Sequence, residues 1–429
     1  MDFSMDLWNN IYGSLGGIKV MKILITTDWY KPVVNGVVTS VINLKTELEK
    51  AGHEVRVLTL SPDGRQHFAD DTYYLKSFKV KIYPQARATY NFHSRFLPEI
   101  MQWCPDIIHS QCEWISFYFA KYISLKLNIP IVHTYHTIYE DYTHYILRSK
   151  RLSKSIVLFG SNRAINATDY VITPTNKARR LLLSYGIENP IITIPTGIDL
   201  DKYRKRISEV RRQELLSSYG ISEDKTVLVS IGRLALEKNI DELLDNMRLL
   251  VQSHPEIVLL IVGGGPYADE LRAKVIRMNL QSNIIFTGMI SPDLVPEYFQ
   301  LGKLFVCASQ SEAQGLTYIE ALASGVPLLC KYDQCLENVL VEGYNGFSFD
   351  NSREFIDKLL EILKNPEQYA LLCKNAEASS DNFSKEAFAN HVIKVYEAAL
   401  NTFPGHRSLP VRLIPMLRKR TQESNLYYN

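Results

Sequence analysis

Short apolar runs recur along this chain, each ending near a glycine, a proline or a small polar residue, and stretches with apolar residues at helical spacing separate them. In the first half the runs predict strands at Ile23 to Thr27, Val55 to Leu60, Ile107 to Ser110, Ile131 to Thr134, Tyr170 to Thr173 and Ile191 to Ile194. In the second half they predict Val227 to Ile231, Val258 to Val262, Ile284 to Thr287, Leu304 to Cys307 and Pro327 to Cys330. Runs such as Ile257 to Val262 are apolar throughout, as strands covered on both faces must be. Strand and helix therefore alternate as βαβ units, and the fold class is α/β with parallel sheets. With 429 residues, 46% of them hydrophobic, the chain is too long for one ordinary core and has apolar surface enough for two. The expected units are residues 21–205 and 206–383, followed by a helix at 384–402 and a tail at 403–429. Residues 1–20 lack the basic start and continuous apolar core of a signal peptide and read as a poorly ordered extension without chemistry.

Ligands of such sheets bind beyond the carboxyl ends of the strands. One segment there is especially informative: Ser309 to Pro327, SQSEAQGLTYIEALASGVP. Gly315 stands where the run Leu304-Phe305-Val306 gives way to a helical pattern, with Glu312 before it and Glu320 after it. A helix starting near Gly315 leaves its first amides unpaired at the positive end of the macrodipole, which suits a phosphate. Gly315, Leu316 and Thr317 thus form an expected anion cradle, the glycine allowing close approach and the Thr317 hydroxyl adding a donor. Glu320, roughly 5 to 8 Å along the helix, can accept from two vicinal hydroxyls of a ribose. Glu312 would face the other end of a nucleotide diphosphate, where a sugar sits. The plainer alternative, two solvated acids at a helix start, explains either glutamate alone but not the constellation.

Other chemistry-bearing residues also follow strands. Arg233 and Lys238, in SIGRLALEKN, can neutralise a diphosphate whose charge grows as a bond to it breaks. Asn35 and Gly36, after the first strand, offer amides to the same phosphates. His136 lies in VHTYHTIYEDYTHYI, and it reads either as a contact to the donor sugar and leaving group or as a packing residue. His133, His136 and His144 lack the spacing of a helical zinc pair. Asp70-Asp71 sits in what reads as an irregular stretch and makes no convincing DxD, so the expected donor is held by cations and amides with no obligatory metal or other cofactor. Divalent-cation stimulation stays open.

The run Glu312 to Glu320 resembles the E-x7-E element of the family 4 retaining glycosyltransferases. Asn35-Gly36-Val37, Ile194-Pro195-Thr196-Gly197-Ile198-Asp199, Gly232-Arg233, Glu237-Lys238-Asn239 and Val262-Gly263-Gly264-Gly265-Pro266 agree with it in order, over roughly residues 21 to 400. The resemblance implies a GT-B fold, two facing Rossmann-like domains with an interdomain cleft, and a last helix that returns to the first domain. It also implies a nucleotide-sugar donor, with His136 and Glu312 as catalytic residues and Asn35, Gly36, Arg233, Lys238, Gly315, Leu316, Thr317 and Glu320 binding that donor. HTIYEDYTHYI and QGLTYIEALASG are similar to the bacterial diacylglycerol glucosyltransferases, which use UDP-glucose. The expected reaction is therefore transfer of a hexose, with retention, to a membrane lipid such as 1,2-diacylglycerol. A transferase of the same fold acting on a capsule, teichoic acid or other glycan precursor is the alternative. A non-catalytic partner subunit is the alternative of a different class.

Charge supports a membrane-surface acceptor independently. The formal net charge of +2 hides 24 Lys+Arg against 16 Asp+Glu in residues 21–205, and 18 against 27 in residues 206–402. Tyr145 to Phe159 would place Lys150, Arg151 and Lys154 opposite an apolar helical face, as an interfacial helix on anionic lipid does. A helix packed on its own domain is the competing reading. The tail from Pro404 to Arg420 carries five cations and no acid, and reads as an interfacial anchor or an unstructured end. No apolar stretch approaches the roughly 18 residues of a membrane span. The expected location is thus cytoplasmic, peripheral on the inner face of the membrane, with no nucleic-acid partner and the oligomeric state left open. Six cysteines without metal-ligand spacing read as reduced core thiols.

Overall fold

The computed structural model describes residues 20–80, 86–138 and 150–406. The strands of the first half are β1 (Lys22–Thr26), β2 (Glu54–Leu60), β3 (His67–Ala69), β4 (Thr72–Leu75), β5 (Phe78–Lys79), β6 (Arg87–Ala88), β7 (Ile107–Ser110), β8 (Ile131–Thr134), β9 (Tyr170–Thr173) and β10 (Ile191–Thr193). Those of the second are β11 (Thr226–Ile231), β12 (Ile257–Val262), β13 (Ile284–Gly288), β14 (Leu304–Cys307), β15 (Leu328–Lys331) and β16 (Gly346–Phe349). Among the described residues the first sheet has the order β3-β4-β2-β1-β7-β8-β9-β10, parallel except at β3, and the second has the order β13-β12-β11-β14-β15-β16, parallel throughout. The order reverses between β1 and β7 in one sheet and between β11 and β14 in the other. A doubly wound sheet opens its ligand crevice at such switch points.

The apolar strands are buried on both faces because successive side chains point to opposite sides. Ile23, Ile25, Val55, Val57 and Ile107 join a core on one side of the first sheet, while Leu24, Leu58, Ile108 and Ile131 join another on the opposite side. In the second sheet Val227, Val229, Val258 and Leu260 face one core and Leu228, Leu259 and Ile261 the other.

Several local expectations are corrected. Asp70 and Asp71 both adopt left-handed backbone and turn the antiparallel pair β3–β4, so that stretch is a hairpin at the sheet edge and not irregular. The strand β16 carries no long apolar run and extends the second sheet beyond β15. Cys104 ends the helix Phe96–Trp103 in left-handed conformation and is exposed, unlike a core thiol.

The chain passes from the first sheet to the second at Ile194 to Asp199 and comes back with the helix Lys385–Thr402. Phe388, Val392 and Tyr396 of that helix are buried in the core that contains Ile23 and Val41. The two crossings are stitched together: the Ile198 amide donates to the Phe383 carbonyl (2.9 Å) and the Lys385 amide to that of Ile198 (3.0 Å). Gly197 makes this approach possible, since a Cβ there would stand 2.4 Å from the Ser384 carbonyl oxygen. Gly197→Ala is therefore expected to lower the stability measured by urea unfolding by about 1–3 kcal/mol, the usual cost of forcing an added carbon into a close-packed site.

Candidate functional site

The backbone itself shapes the second-domain side of the cleft. Gly232 follows β11 and Gly263 follows β12 so closely together that a Cβ on Gly263 would lie 2.0 Å from the Gly232 carbonyl oxygen. After β14 the chain runs through Ser309 to Gln314 into the helix Leu316–Ala323. Gly315 holds the first cap position of that helix at φ 72°, left-handed backbone that disfavours side chains, and a Cβ there would meet the Tyr318 ring at 2.4 Å. A glycine is thus required at the start of this helix, where Gly315, Leu316 and Thr317 line the cleft. Glu320, one turn on, is half-buried and also lines it. Burial pushes its carboxyl above the usual range, opposed by a hydrogen bond with the Tyr203 hydroxyl.

The cations of this side already have partners. Lys238 Nζ donates to Glu312 Oε1 at 2.5 Å, and Arg233 pairs with Glu237. Burial alone would raise the Glu312 carboxyl, but the Lys238 ammonium, with hydrogen bonds from Lys238 and Ser309, holds it below the usual range. The pair is set by the 3₁₀ turn Leu236–Lys238, which Asn239 closes in left-handed conformation.

The first domain supplies the facing wall. Asn35 caps the helix Gly36–Lys50, its Oδ1 accepting from the Val38 amide at 2.9 Å, and a Cβ on Gly36 would stand 3.7 Å from Leu316 of the opposite wall. His136 follows β8, and its Nε2 lies 2.6 Å from Gln111 Oε1. A carbonyl oxygen only accepts, so Nε2 carries the proton and Nδ1 is the acceptor. Burial first, and the neighbouring His133 second, pull His136 down to about 3, so the imidazole is neutral at physiological pH. Beneath it His133 Nε2 lies 3.2 Å from Glu113, and His109 bridges Tyr396 and Thr134 at 2.6 and 2.7 Å.

One cleft of about 1420 Å3 collects Asn35, Gly36, His136, Arg233, Lys238, Glu312, Gly315, Leu316, Thr317 and Glu320. Lys150, Arg151 and Lys154 lie on the helix Lys150–Ile165, but their side chains are outside the described residues, as are His144, most of residues 1–20 and the tail beyond 406. Phe159 of that helix is 70% exposed. Among the described residues no group of three His, Cys, Asp or Glu is placed to hold a metal ion.

Three residues of the site have no local signal in the sequence. Gln314 accepts from the Thr196 amide at 2.9 Å and donates to the Thr196 carbonyl at 3.1 Å, tying the glutamate loop to the crossing strand. Thr175 Oγ1 donates to the Ala313 carbonyl at 2.7 Å. Gln111 fixes the His136 tautomer. Their partners lie 25 to 138 positions away, which no local pattern reveals.

Comparison with known proteins adds lineage to this geometry. Residues 34–202 match the model "Glycosyltransferase Family 4", and residues 211–379 match "Glycosyl transferases group 1". The chain is 34% identical over 370 residues to the α-monoglucosyldiacylglycerol synthase of Streptococcus pneumoniae, covering 85% of this chain and 84% of that one. It is 30% identical over 398 residues to the enzyme of that name from Acholeplasma laidlawii, covering 88% and 96%. Among solved structures, sucrose-phosphate synthase from Thermosynechococcus elongatus superposes with a TM-score of 0.71 at 18% identity, over 89% of this chain and 99% of that one. Anabaena HepE, solved in complex with UDP-glucose, gives 0.67 at 18% identity over 88% and 100%. These likenesses show the fold to be GT-B.

The His136 environment yields a direct measurement. Its native proton affinity is depressed, so between pH 6.5 and about 3 the unfolded chain binds more protons at this residue than the folded one. The stability it contributes is complete above pH 6.5 and is lost as pH falls toward 3. The His136 ring resonances are accordingly expected to stay unshifted from pH 8 to 5 in NMR titration, whereas Gln111→Glu, placing a carboxylate against the ring, is expected to bring the titration back into that window.

Proposed function

We propose, for a chain that belongs to the glycosyltransferases of family 4, that it transfers glucose from UDP-glucose to 1,2-diacylglycerol at the cytoplasmic face of the membrane. The observation that carries this reading is the single cleft in which the glycine cradle, two glutamates, two cations and a neutral histidine converge from two domains. Relatives at 34% and 30% identity that are named α-monoglucosyldiacylglycerol synthases support the product class. The UDP-glucose complex of HepE supports the donor.

In this reading the amides of Gly315 to Thr317 and those near Gly36 seat the diphosphate, while Arg233 and Lys238 neutralise it. Glu320 takes the ribose hydroxyls. Glu312 and the Nδ1 of neutral His136 accept hydrogen bonds from hexose hydroxyls. The bond from the anomeric carbon to the phosphate oxygen breaks, and the lipid hydroxyl adds from the same face. Its proton passes to the departing phosphate, so configuration is retained without an enzymic nucleophile. The cationic surplus of residues 21–205 and the helix Lys150–Ile165 with exposed Phe159 support a peripheral seat on anionic lipid. Among the described residues no helix is long and apolar enough to cross a membrane.

Binding and transfer should separate. Glu320→Ala and Lys238→Ala are each expected to weaken UDP binding in calorimetry by about 10- to 150-fold, the cost of roughly 1.5–3 kcal/mol for a lost hydrogen bond to a charged group. His136→Ala is expected to bind UDP nearly as wild type but to turn over roughly 100-fold more slowly. Unchanged UDP affinity in both of the first two variants would remove the donor seat.

The acceptor is tested with labelled UDP-glucose, UDP-galactose and GDP-mannose and vesicles containing diacylglycerol. Label from UDP-glucose should enter the lipid extract. Sedimentation with anionic vesicles should weaken with salt, because attraction is screened within roughly 8 Å at physiological ionic strength. Faster transfer to a soluble glycan than to any lipid would overturn the lipid acceptor and leave the family in place.

A further inference from the structure

The cleft is larger than its donor requires. Its volume of about 1420 Å3 exceeds the roughly 300–1,000 Å3 of pockets that enclose one small ligand, which leaves room for a second. The charges assigned to the donor, Arg233, Lys238, Glu312 and Glu320, all come from the second domain. On the first-domain wall Trp29, Val34, Val80, Trp114, Ile115 and Ile138 provide apolar surface, and Val34 is 61% exposed. This wall is continuous with the helix Lys150–Ile165, because a Cβ on Gly160 would stand 3.3 Å from the Trp114 ring.

A carboxylate interrupts the apolar wall. Asp28, just beyond β1, is 8% exposed and lines the cleft. Its Oδ1 accepts from the Ser116 amide at 2.7 Å, and its Oδ2 accepts from the Ile115 amide at a longer 3.3 Å, so it caps the helix Ile115–Leu127. A single cap bond needs only one oxygen, which a serine or asparagine supplies without burying an acid; here each of the two carboxylate oxygens serves its own amide. Burial, with a smaller push from Glu113, raises this carboxyl to about 6 even though the Ser116 amide and hydroxyl and the Ile115 amide pull it down. A carboxylate has about four acceptor sites, and the two amides with the Ser116 hydroxyl leave at least one open.

We infer that Asp28 accepts a hydrogen bond from the free hydroxyl of the acceptor diacylglycerol, while the apolar wall around it holds the glycerol backbone and the first methylenes of the acyl chains. The inference rests on the glycolipid reading above and names the part of this chain that would engage the lipid. A hydroxyl held at Asp28 is fixed against the first domain, leaving the second domain to bring the hexose to it. The apolar side chains around Asp28 admit acyl chains.

The test uses the full chain, UDP-glucose and dioctanoylglycerol. Asp28→Asn keeps an oxygen for the cap and removes the charge, and Val34→Glu places a charge on the exposed wall. Each is expected to raise the KM for dioctanoylglycerol by about tenfold or more while the UDP Kd stays within about twofold of wild type. Should Asp28→Asn fail to fold, Val34→Glu, at an exposed position, tests the wall, and Asp28→Ser, which can still cap, tests the carboxylate. An unchanged KM in the folded variants, with wild type active on dioctanoylglycerol, overturns the inference and leaves the glycolipid reading intact. A UDP affinity that falls as far as the acceptor KM rises also overturns it. If wild type glucosylates only soluble glycans, the glycolipid reading itself falls and takes this occupant with it.

Discussion

The close approach of the two chain crossings at Gly197 and Ser384 is the constraint on which the cleft depends. Two parallel sheets, each with its own cores on both faces, would otherwise be joined by flexible links. Hydrogen bonds between Ile198 and both Phe383 and Lys385 make the crossings one short strip of backbone, and Asn43 Nδ2 adds a bond to the Gly197 carbonyl at 2.9 Å. Lys385 completes it with Asp199 at 2.5 Å. Gln314 and Thr175 then fasten the glutamate loop to the same region, so the position of the cradle relative to the first domain follows from this strip.

Around that frame the two walls differ in how they treat charge. On the second-domain side Lys238 with Glu312 and Arg233 with Glu237 keep their charges compensated, while Glu320 is raised by burial. On the first-domain side burial disfavours charge instead. His109 and His136 are held neutral, while Asp28, raised to about 6, stays largely ionised near neutrality. An ionic wall opposite a desolvated one would suit the proposed reaction between a charged donor and a mostly hydrocarbon acceptor, because each partner would meet the medium it prefers.

Much of this was legible in the sequence, for local reasons. A strand such as Ile257–Val262 is buried on both faces and announces itself as an apolar run. Gly315 announces the cradle because its left-handed backbone and the helix beside it are decided within a few residues. The strand β16 escaped because GFSF is short and alternating, and β3–β4 because two aspartates at a turn read as irregular chain. What could not be read are pairings set by the fold: Glu312 lies 74 positions from Lys238, and His109 lies 287 from Tyr396. Residue type pointed to Arg233 and Lys238 as cations, but only the fold shows that each already has a carboxylate.

That last feature bears on which anions the empty protein would retain. A cation left bare in a cleft attracts any phosphate in solution, including inorganic phosphate, which is abundant and useless to the reaction. Lys238 and Arg233, already neutralised from within, offer such an ion little, for it would have to displace a tethered carboxylate that is always at hand. In the proposed assignment a nucleotide sugar would bring a ribose for Glu320 and hexose hydroxyls for Glu312, so the carboxylate that gives up its ammonium would find another partner in the same event. Selectivity would then rest on the exchange of partners and not on charge, and a fragment of the donor would be a poorer competitor than its phosphates alone suggest.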